Sequence, residues 1–330
     1  MKVNIIGSGT WGTALAYILY KNNIEVLVWG RDKNKISDIN NSRIHPNLKD
    51  FIIPQNIKYT TTFPNDKDSL TVVATPTIFL GKLKDYIEKE SISNIVIASK
   101  GFYKYNNSYM IASEFLMKIN KKINLCILSG PTHAEEIIKE NATAILAASS
   151  NNRFAENVQR IFSNKFFRVY TSDNIIAAQI GGAIKNIIAI ASGICDGLNL
   201  GDNTKAALVS RGMSEIADYY NIFYDTASKD PYTFFGLSGL GDLIATSYSI
   251  HSRNRKFGQL IGQGLSAENA LLKIGMVVEG FESTAAVKAH CDKKNINMPI
   301  CSEIYEILYN KKDPRLSLFS LMTRKLTNEN

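Results

Sequence analysis

The 330-residue sequence is poor in the residues that staple small folds or ligate metals, with only four cysteines and four histidines. Cys126, Cys195, Cys291 and Cys301 lie far apart, form no C-x-x-C pair and have no histidine pair nearby. This spacing argues against a zinc site and a disulfide framework and suits a reducing cytosol, so no metal is expected. Long apolar runs are missing as well. The stretch near Ile187–Cys195 falls short of the ~20 residues that a membrane span needs. The chain opens as MKVNIIG, with no apolar signal core and no Arg-rich leader, so the expectation is a cytoplasmic protein without membrane insertion. Blocks of one charge sign are also absent. Against 30 Asp+Glu stand 38 Lys+Arg, a net charge of +8, and the excess lies in residues 1–170, which carry 22 basic and 14 acidic side chains. No run of five basic residues occurs there, so no nucleic-acid partner is expected. An anionic substrate or cofactor stays open.

What is present divides into two parts. In the first half, short apolar runs at Val3–Ile6, Glu25–Trp29, Leu70–Ala74, Ile95–Ala98, Leu125–Leu128 and Ala144–Ala148 alternate with helical segments such as Thr13–Lys21. Such runs predict a mostly parallel sheet buried on both faces. Residues 34–65 have the least periodicity and read as loop with short helical pieces. After about residue 172 strand signals fade, and Ile175–Ile194, Thr204–Tyr220, Ala267–Leu272, Ser283–Lys294 and Ser302–Tyr309 read as helices. The expectation is an α/β Rossmann-type dinucleotide-binding domain over residues 1–172, then an all-α substrate-binding and catalytic domain over 173–330, with a cleft between them.

Gly7-Ser8-Gly9-Thr10-Trp11-Gly12 fits G-x-G-x-x-G between the first strand and the first helix. Gly7 permits the tight turn, Gly9 lets backbone approach a pyrophosphate at the helix N-terminus, and Gly12 lets helix and strand pack closely. Dinucleotide binding follows. At the end of the second strand stands Trp29-Gly30-Arg31-Asp32. Arg31 favours the extra phosphate of NADP and Asp32 keeps NAD open.

Ile175–Ile194 is apolar nearly all round except for Lys185 and Asn186. A lysine in such a run needs a partner or a role, and burial brings its pKa toward the range of general acid–base chemistry. Downstream, Gly236–Leu243 puts Asp242 after a glycine-rich turn, where it orients the lysine or a substrate hydroxyl. Ser252-Arg253-Asn254-Arg255 offers donors suited to a phosphate monoester.

Together these segments resemble the bacterial NAD(P)-dependent glycerol-3-phosphate dehydrogenases. The resemblance is carried by GSGTWGTALA at 7–16, ASKG at 98–101, SGPTHAEE at 129–136, GGAIKNIIAIASGICDGLNLGDNTKAAL at 181–208, GLSGLGDLIATSYSIHSRNRKFG at 236–258 and VVEG at 277–280. It implies reversible NAD(P)H-dependent reduction of dihydroxyacetone phosphate to sn-glycerol 3-phosphate, supplying glycerophospholipid synthesis, with NADPH favoured and a homodimer as the assembly. It further implies Lys185 as the proton-transferring residue and Lys100, Gly130, Thr132, Asn186, Asp242, Ser252, Arg253 and Asn254 as substrate contacts. Cofactor contacts are Gly7, Gly9, Thr10, Trp11, Gly12, Arg31, Lys100, Ala134, Arg253, Val277 and Glu279. Residues 40–56 follow the family outline but are shortened before Pro54. The alternative reading is another two-domain NAD(P)-dependent hydroxyacid or keto-acid reductase, whose substrate is a carboxylate.

Overall fold

A computed structural model describes residues 1–67, 69–224 and 232–329. The strands are β1 (Lys2–Ile6), β2 (Glu25–Trp29), β3 (Ile44–His45), β4 (Leu48–Ile52), β5 (Ile57–Thr60), β6 (Leu70–Val73), β7 (Asn94–Ile97), β8 (Phe102–Tyr105), β9 (Ser108–Ile111), β10 (Asn124–Ser129), β11 (Thr143–Ala148) and β12 (Phe167–Ser172). The first helices are α1 (Thr10–Lys21), α2 (Lys33–Ser42), α3 (Lys84–Lys89), α4 (Ala112–Ile119), α5 (Ala134–Ile137), α6 (Asn152–Phe162), α7 (Ile175–Gly197) and α8 (Asp202–Phe223). Then come α9 (Tyr232–Phe235), α10 (Asp242–Tyr248), α11 (Arg253–Gly262), α12 (Ala267–Ile274), α13 (Glu279–Lys294), α14 (Pro299–Asn310) and α15 (Pro314–Met322). The chain forms two compact units, Met1–Gly182 with Thr233–Asp242, and Ala183–Tyr232 with Leu243–Asn330.

The first unit is organised by an eight-stranded sheet in the order β12-β11-β10-β7-β6-β1-β2-β5. Every pairing is parallel except β10 with β11. Its central strands β1, β6, β7 and β10 are buried on both faces because both are covered. Val3, Ile5, Val28 and Val72 pack with α1 and α6 on one side, and Ile6, Val73, Ile95 and Ile97 pack with α3 and α4 on the other. From β1 the sheet grows outward in both directions, through β2 to β5 and through β6 to β10. The loop after β1 therefore lies at the topological switch point, where ligands of doubly wound sheets bind.

The expectation of loop with short helical pieces over residues 34–65 holds for the helix and is corrected for the remainder, which forms strands. This stretch holds helix α2, the antiparallel hairpin β3–β4 and strand β5, which pairs with β2 in the main sheet. Its pattern is weak because only Ile36 and Ile39 of α2 are buried, and most of the other side chains of that helix are polar and exposed. Strand β12 and hairpin β8–β9 also went unread. β12 alternates buried Phe167 and Val169 with exposed Arg168 and Tyr170, as an edge strand does.

The second unit is helical throughout its described residues. Helix α7 contributes most of its length to this unit and carries an unbroken buried stretch from Ala177 to Cys195. By length and composition α7 is the one described helix apolar enough to cross a membrane, and 89% of its qualifying 18-residue window is buried inside the protein. It is a core helix. Ser192 on α7 donates to the Ser247 carbonyl on α10 at 2.8 Å. Glu215 on α8 accepts from the Ile300 and Cys301 amides at 2.6 and 3.1 Å, capping the first turn of α14 from a distant helix. Burial pushes this carboxyl up to about 7.

Candidate active site

The glycine turn obeys the requirements of its backbone. Gly7 has φ +132°, and a Cβ there would lie 2.7 Å from the Ala74 carbonyl carbon. At Gly12 a Cβ would sit 1.9 Å from the Gly7 oxygen, so α1 packs against the turn at a distance only glycine permits. Gly9 is different, since nothing lies within 4 Å of its Cβ position. It is the N-cap of α1 and supplies no side-chain cap, which leaves first-turn amides for an anion at the positive end of the helix. Trp11 is fixed by donating from its indole to the Ala98 carbonyl at 3.1 Å.

These residues fit a dinucleotide. Beyond the open face at Gly9, the hydroxyls of Thr75, Ser99 and Ser129 are buried without a hydrogen-bond partner. They stand at or just past the C-terminal ends of β6, β7 and β10, the sheet edge where such ligands lie. Arg31 places its guanidinium 5.4 Å from the centroid of the Phe79 ring. Asp32 accepts from the Lys35 amide at 3.0 Å as the N-cap of α2, so one carboxylate oxygen is engaged in holding that helix.

Lys100 reaches the Asp242 carboxylate at 2.6 Å and the Gly130 carbonyl at 2.9 Å. Asp242 is 1% exposed, and burial strengthens such a pair while making either partner costly to remove. Thr132 donates to the same Gly130 carbonyl at 3.2 Å. The structure thus gathers four sequence-predicted residues, Lys100, Gly130, Thr132 and Asp242, into one hydrogen-bonded group in the first unit. The contact of the Asp242 carboxylate with Lys100 stands beside its expected role of orienting Lys185 or a substrate hydroxyl. Ala134 begins α5 immediately beyond, and is buried.

In the second unit Lys185 is 5% exposed, and its ammonium donates to the Thr246 hydroxyl at 2.6 Å. Asn186 accepts at 2.9 Å from the Asn254 amide, whose own oxygen accepts at 2.9 Å from the Gly280 N–H. Ser252, Arg253 and Asn254 are the N-cap and first two residues of α11, with the Ser252 hydroxyl accepting from the Arg255 amide. Arg253 is exposed and donates to the Val277 carbonyl at 3.0 Å. Glu279 opens α13. Arg255 belongs elsewhere, with its guanidinium 2.6 Å from Asp196, which also pairs with Lys205.

Thr246 is the member sequence reasoning missed. It stands one helical turn past Asp242 on α10, a spacing that puts both on one face of the helix and would have drawn attention to it.

Comparison with known proteins gives the family. Residues 2–155 match the model of the N-terminus of NAD-dependent glycerol-3-phosphate dehydrogenase, and residues 174–318 match that of its C-terminus. A glycerol-3-phosphate dehydrogenase (NAD(P)+) of Lysinibacillus sphaericus is 39% identical over 333 residues, covering 98% of this chain and 96% of the relative. The crystal structure of glycerol-3-phosphate dehydrogenase from Coxiella burnetii superposes with a TM-score of 0.90 at 30% identity, covering 98% and 99% of the two chains. D-mandelate dehydrogenase, solved with NADH, shares the fold alone, at a TM-score of 0.57 and 14% identity over 94% and 98% of the two chains. With the glycine turn, the Lys100–Asp242 pair and the buried Lys185 falling inside the two matched segments, the chain belongs to the NAD-dependent glycerol-3-phosphate dehydrogenase family.

Proposed function

We propose that this chain catalyses the reversible NAD(P)H-dependent reduction of dihydroxyacetone phosphate to sn-glycerol 3-phosphate, with Lys185 as the proton donor. The observation that carries the assignment is the burial of the Lys185 ammonium in an apolar helix, held by the Thr246 hydroxyl. When bound, the reduced dinucleotide supplies the hydride. Lys185 hydrogen-bonds the carbonyl oxygen at C2 and gives it a proton as that carbon is reduced. The neutral amine left behind is recharged from solvent. Thr246 fixes the direction of the Lys185 ammonium. Lys100 adds positive charge where the alkoxide develops, with Asp242 fixing the Lys100 side chain in turn. Arg253 and Asn254, with Ser252 and the α11 amides, hold the substrate phosphate, an anion suited to a helix N-terminus. Gly130, Thr132 and Asn186 complete the substrate contacts.

For the cofactor, Gly7, Gly9, Thr10, Trp11 and Gly12 take the pyrophosphate, and Arg31 takes the adenosine end. Lys100, Ala134, Arg253, Val277 and Glu279 make the remaining contacts. NADPH is favoured, because Arg31 offers a cation for the 2′-phosphate while Asp32 is engaged as a helix cap. The protein works as a homodimer in the cytoplasm, needs no metal, and feeds glycerophospholipid synthesis.

The test is to follow NADPH and NADH oxidation with dihydroxyacetone phosphate against a panel of keto-acids. Rapid turnover of the triose phosphate with NADPH is expected. Turnover of a keto-acid in its place overturns the phosphate assignment, and faster reaction with NADH overturns the cofactor preference.

A further inference from the structure

The hairpin β3–β4 enters none of the roles above, yet its first strand carries the most completely buried histidine of the described residues. His45 is 0% exposed. Its Nδ1 lies 3.1 Å from the Asn47 amide, which donates to it, and its Nε2 lies 3.2 Å from the Ser8 carbonyl oxygen. Because an N–H points at Nδ1, that nitrogen holds the lone pair. The ring proton is then on Nε2, where it donates to Ser8, and both ring nitrogens are satisfied in a single neutral tautomer. Burial and the nearby Lys35 charge push the imidazole down to about 4, which keeps it neutral at ordinary pH.

Ser8 stands inside the glycine turn, and its carbonyl belongs to the same planar peptide unit as the Gly9 N–H. In a trans peptide the C=O and N–H point in opposite directions. Holding the Ser8 oxygen on the hairpin side therefore turns the Gly9 N–H away from the hairpin. Glycine residues on both sides of Ser8 leave the turn soft, so an external strut has something to fix. The strut is itself held. Arg43, in the left-handed region at φ 58°, donates to the carbonyls of Ile53 at 3.2 Å, Ile57 at 2.8 Å, and Pro54. Tyr59 donates to Thr13 on α1 at 3.0 Å.

We infer that His45 is a positioning residue for the cofactor, a neutral hydrogen-bond donor that holds the Ser8–Gly9 peptide so that the Gly9 N–H faces the dinucleotide pyrophosphate. The inference rests on the reading that the Gly7–Gly12 turn receives that pyrophosphate.

The test measures dissociation constants of NADPH and NADH by coenzyme fluorescence, and kcat and KM, on the full chain carrying His45→Phe, His45→Gln or Gly9→Val. Phenylalanine keeps a ring and loses the donor, whereas glutamine keeps an N–H that reaches a carbonyl. Loss of one hydrogen bond corresponds to about tenfold in affinity. His45→Phe is expected to weaken both coenzymes by about that factor, mainly in Kd and in KM for coenzyme rather than in kcat, and His45→Gln to recover most of the loss. Gly9→Val fills the open face over the turn and is expected to weaken coenzyme more than either. If Gly9→Val loses coenzyme while His45→Phe binds as the parent does, the role of His45 is overturned and the turn's role stands. If Gly9→Val also binds normally, the pyrophosphate reading itself falls. Should His45→Phe not fold, a folded His45→Gln that binds as the parent does supports the donor role, and one weakened tenfold overturns it.

Discussion

In the first unit the turn Gly7–Gly12 is made by six consecutive residues. In the second, Lys185 meets Thr246 sixty-one positions away and Asn186 meets Asn254 sixty-eight away. The two regions place their chemistry by different means. The turn presents backbone amides, whose directions follow from local φ and ψ and from where a Cβ is missing. The lysine cluster presents side-chain groups, whose directions depend on helices α7, α10 and α11 packing in one arrangement. The first is set mostly by its own backbone, with the His45 contact to the Ser8 carbonyl steadying it from outside. The second is only as good as the core that holds it.

The largest effect that sharpens this contrast is expected from Lys185→Ala. Turnover should fall by about a thousandfold, the scale of general acid catalysis, while NADPH still binds to the turn as in the parent. Steady-state kinetics beside a coenzyme titration checks this, and near-normal turnover in a folded Lys185→Ala protein removes the lysine from the mechanism.

Next in size is a contrast in pH dependence. Each unit buries a titratable group in its neutral form, but of opposite type. His45 falls from 6.5 to about 4, and Glu215 rises from 4.5 to about 7, the latter through burial against the weaker effects of the Ile300 and Cys301 amides and Arg324. A depressed histidine contributes stability that is fully present above pH 6.5 and is lost as pH falls toward 4. A raised glutamate contributes stability that is fully present below pH 4.5 and is lost as pH rises through 7. Each amounts to about 3 kcal/mol across its range. In urea unfolding, Glu215→Gln should therefore gain on the parent between pH 5 and 8, and His45→Gln should gain on it as pH falls from 6.5 to 4. Parallel stability curves for parent and variant refute the corresponding assignment.

Asp242→Asn tests where the contrast breaks down. The Lys100–Asp242 pair lies in the first unit yet joins residues 142 positions apart, so here too a side-chain group is placed by packing. Neutralising the carboxylate should lower kcat/KM by about a hundredfold, as removal of an electrostatic element at a developing oxyanion does. An unchanged kcat/KM assigns the pair to structure alone.

The smallest effect separates two glycines of one turn. Gly12→Ala forces a methyl to within 1.9 Å of the Gly7 oxygen and should cost about 2 kcal/mol of stability, as overpacking does. Gly9→Ala meets nothing within 4 Å and should cost less than about 1 kcal/mol, the scale of a poorer N-cap. Thermal unfolding of both variants decides it. Equal losses mean that close packing of α1 on the turn is not what requires Gly12.

The sequence by itself determined the parts whose cause is local. Strands buried on both faces show as short apolar runs, which made β1, β2, β6, β7, β10 and β11 legible. A helix buried nearly all round shows as α7 with Lys185 standing out. A turn that needs φ +132° at one residue and a missing Cβ at another shows as spaced glycines. Only the tertiary structure decided the rest. The sequence did not reveal that the segment after α2 forms the β3–β4 hairpin and strand β5, because strands of two to five residues are too short for an alternation to stand out. Nor did it indicate that Asp242 joins Lys100, that Thr246 takes the ammonium of Lys185, or that His45 reaches back to the Ser8 carbonyl. Each of these contacts joins residues 37 to 142 positions apart. A hydrogen bond has a reach of about 3 Å, so its partner is chosen by the packing of whole elements, which no local window of sequence contains.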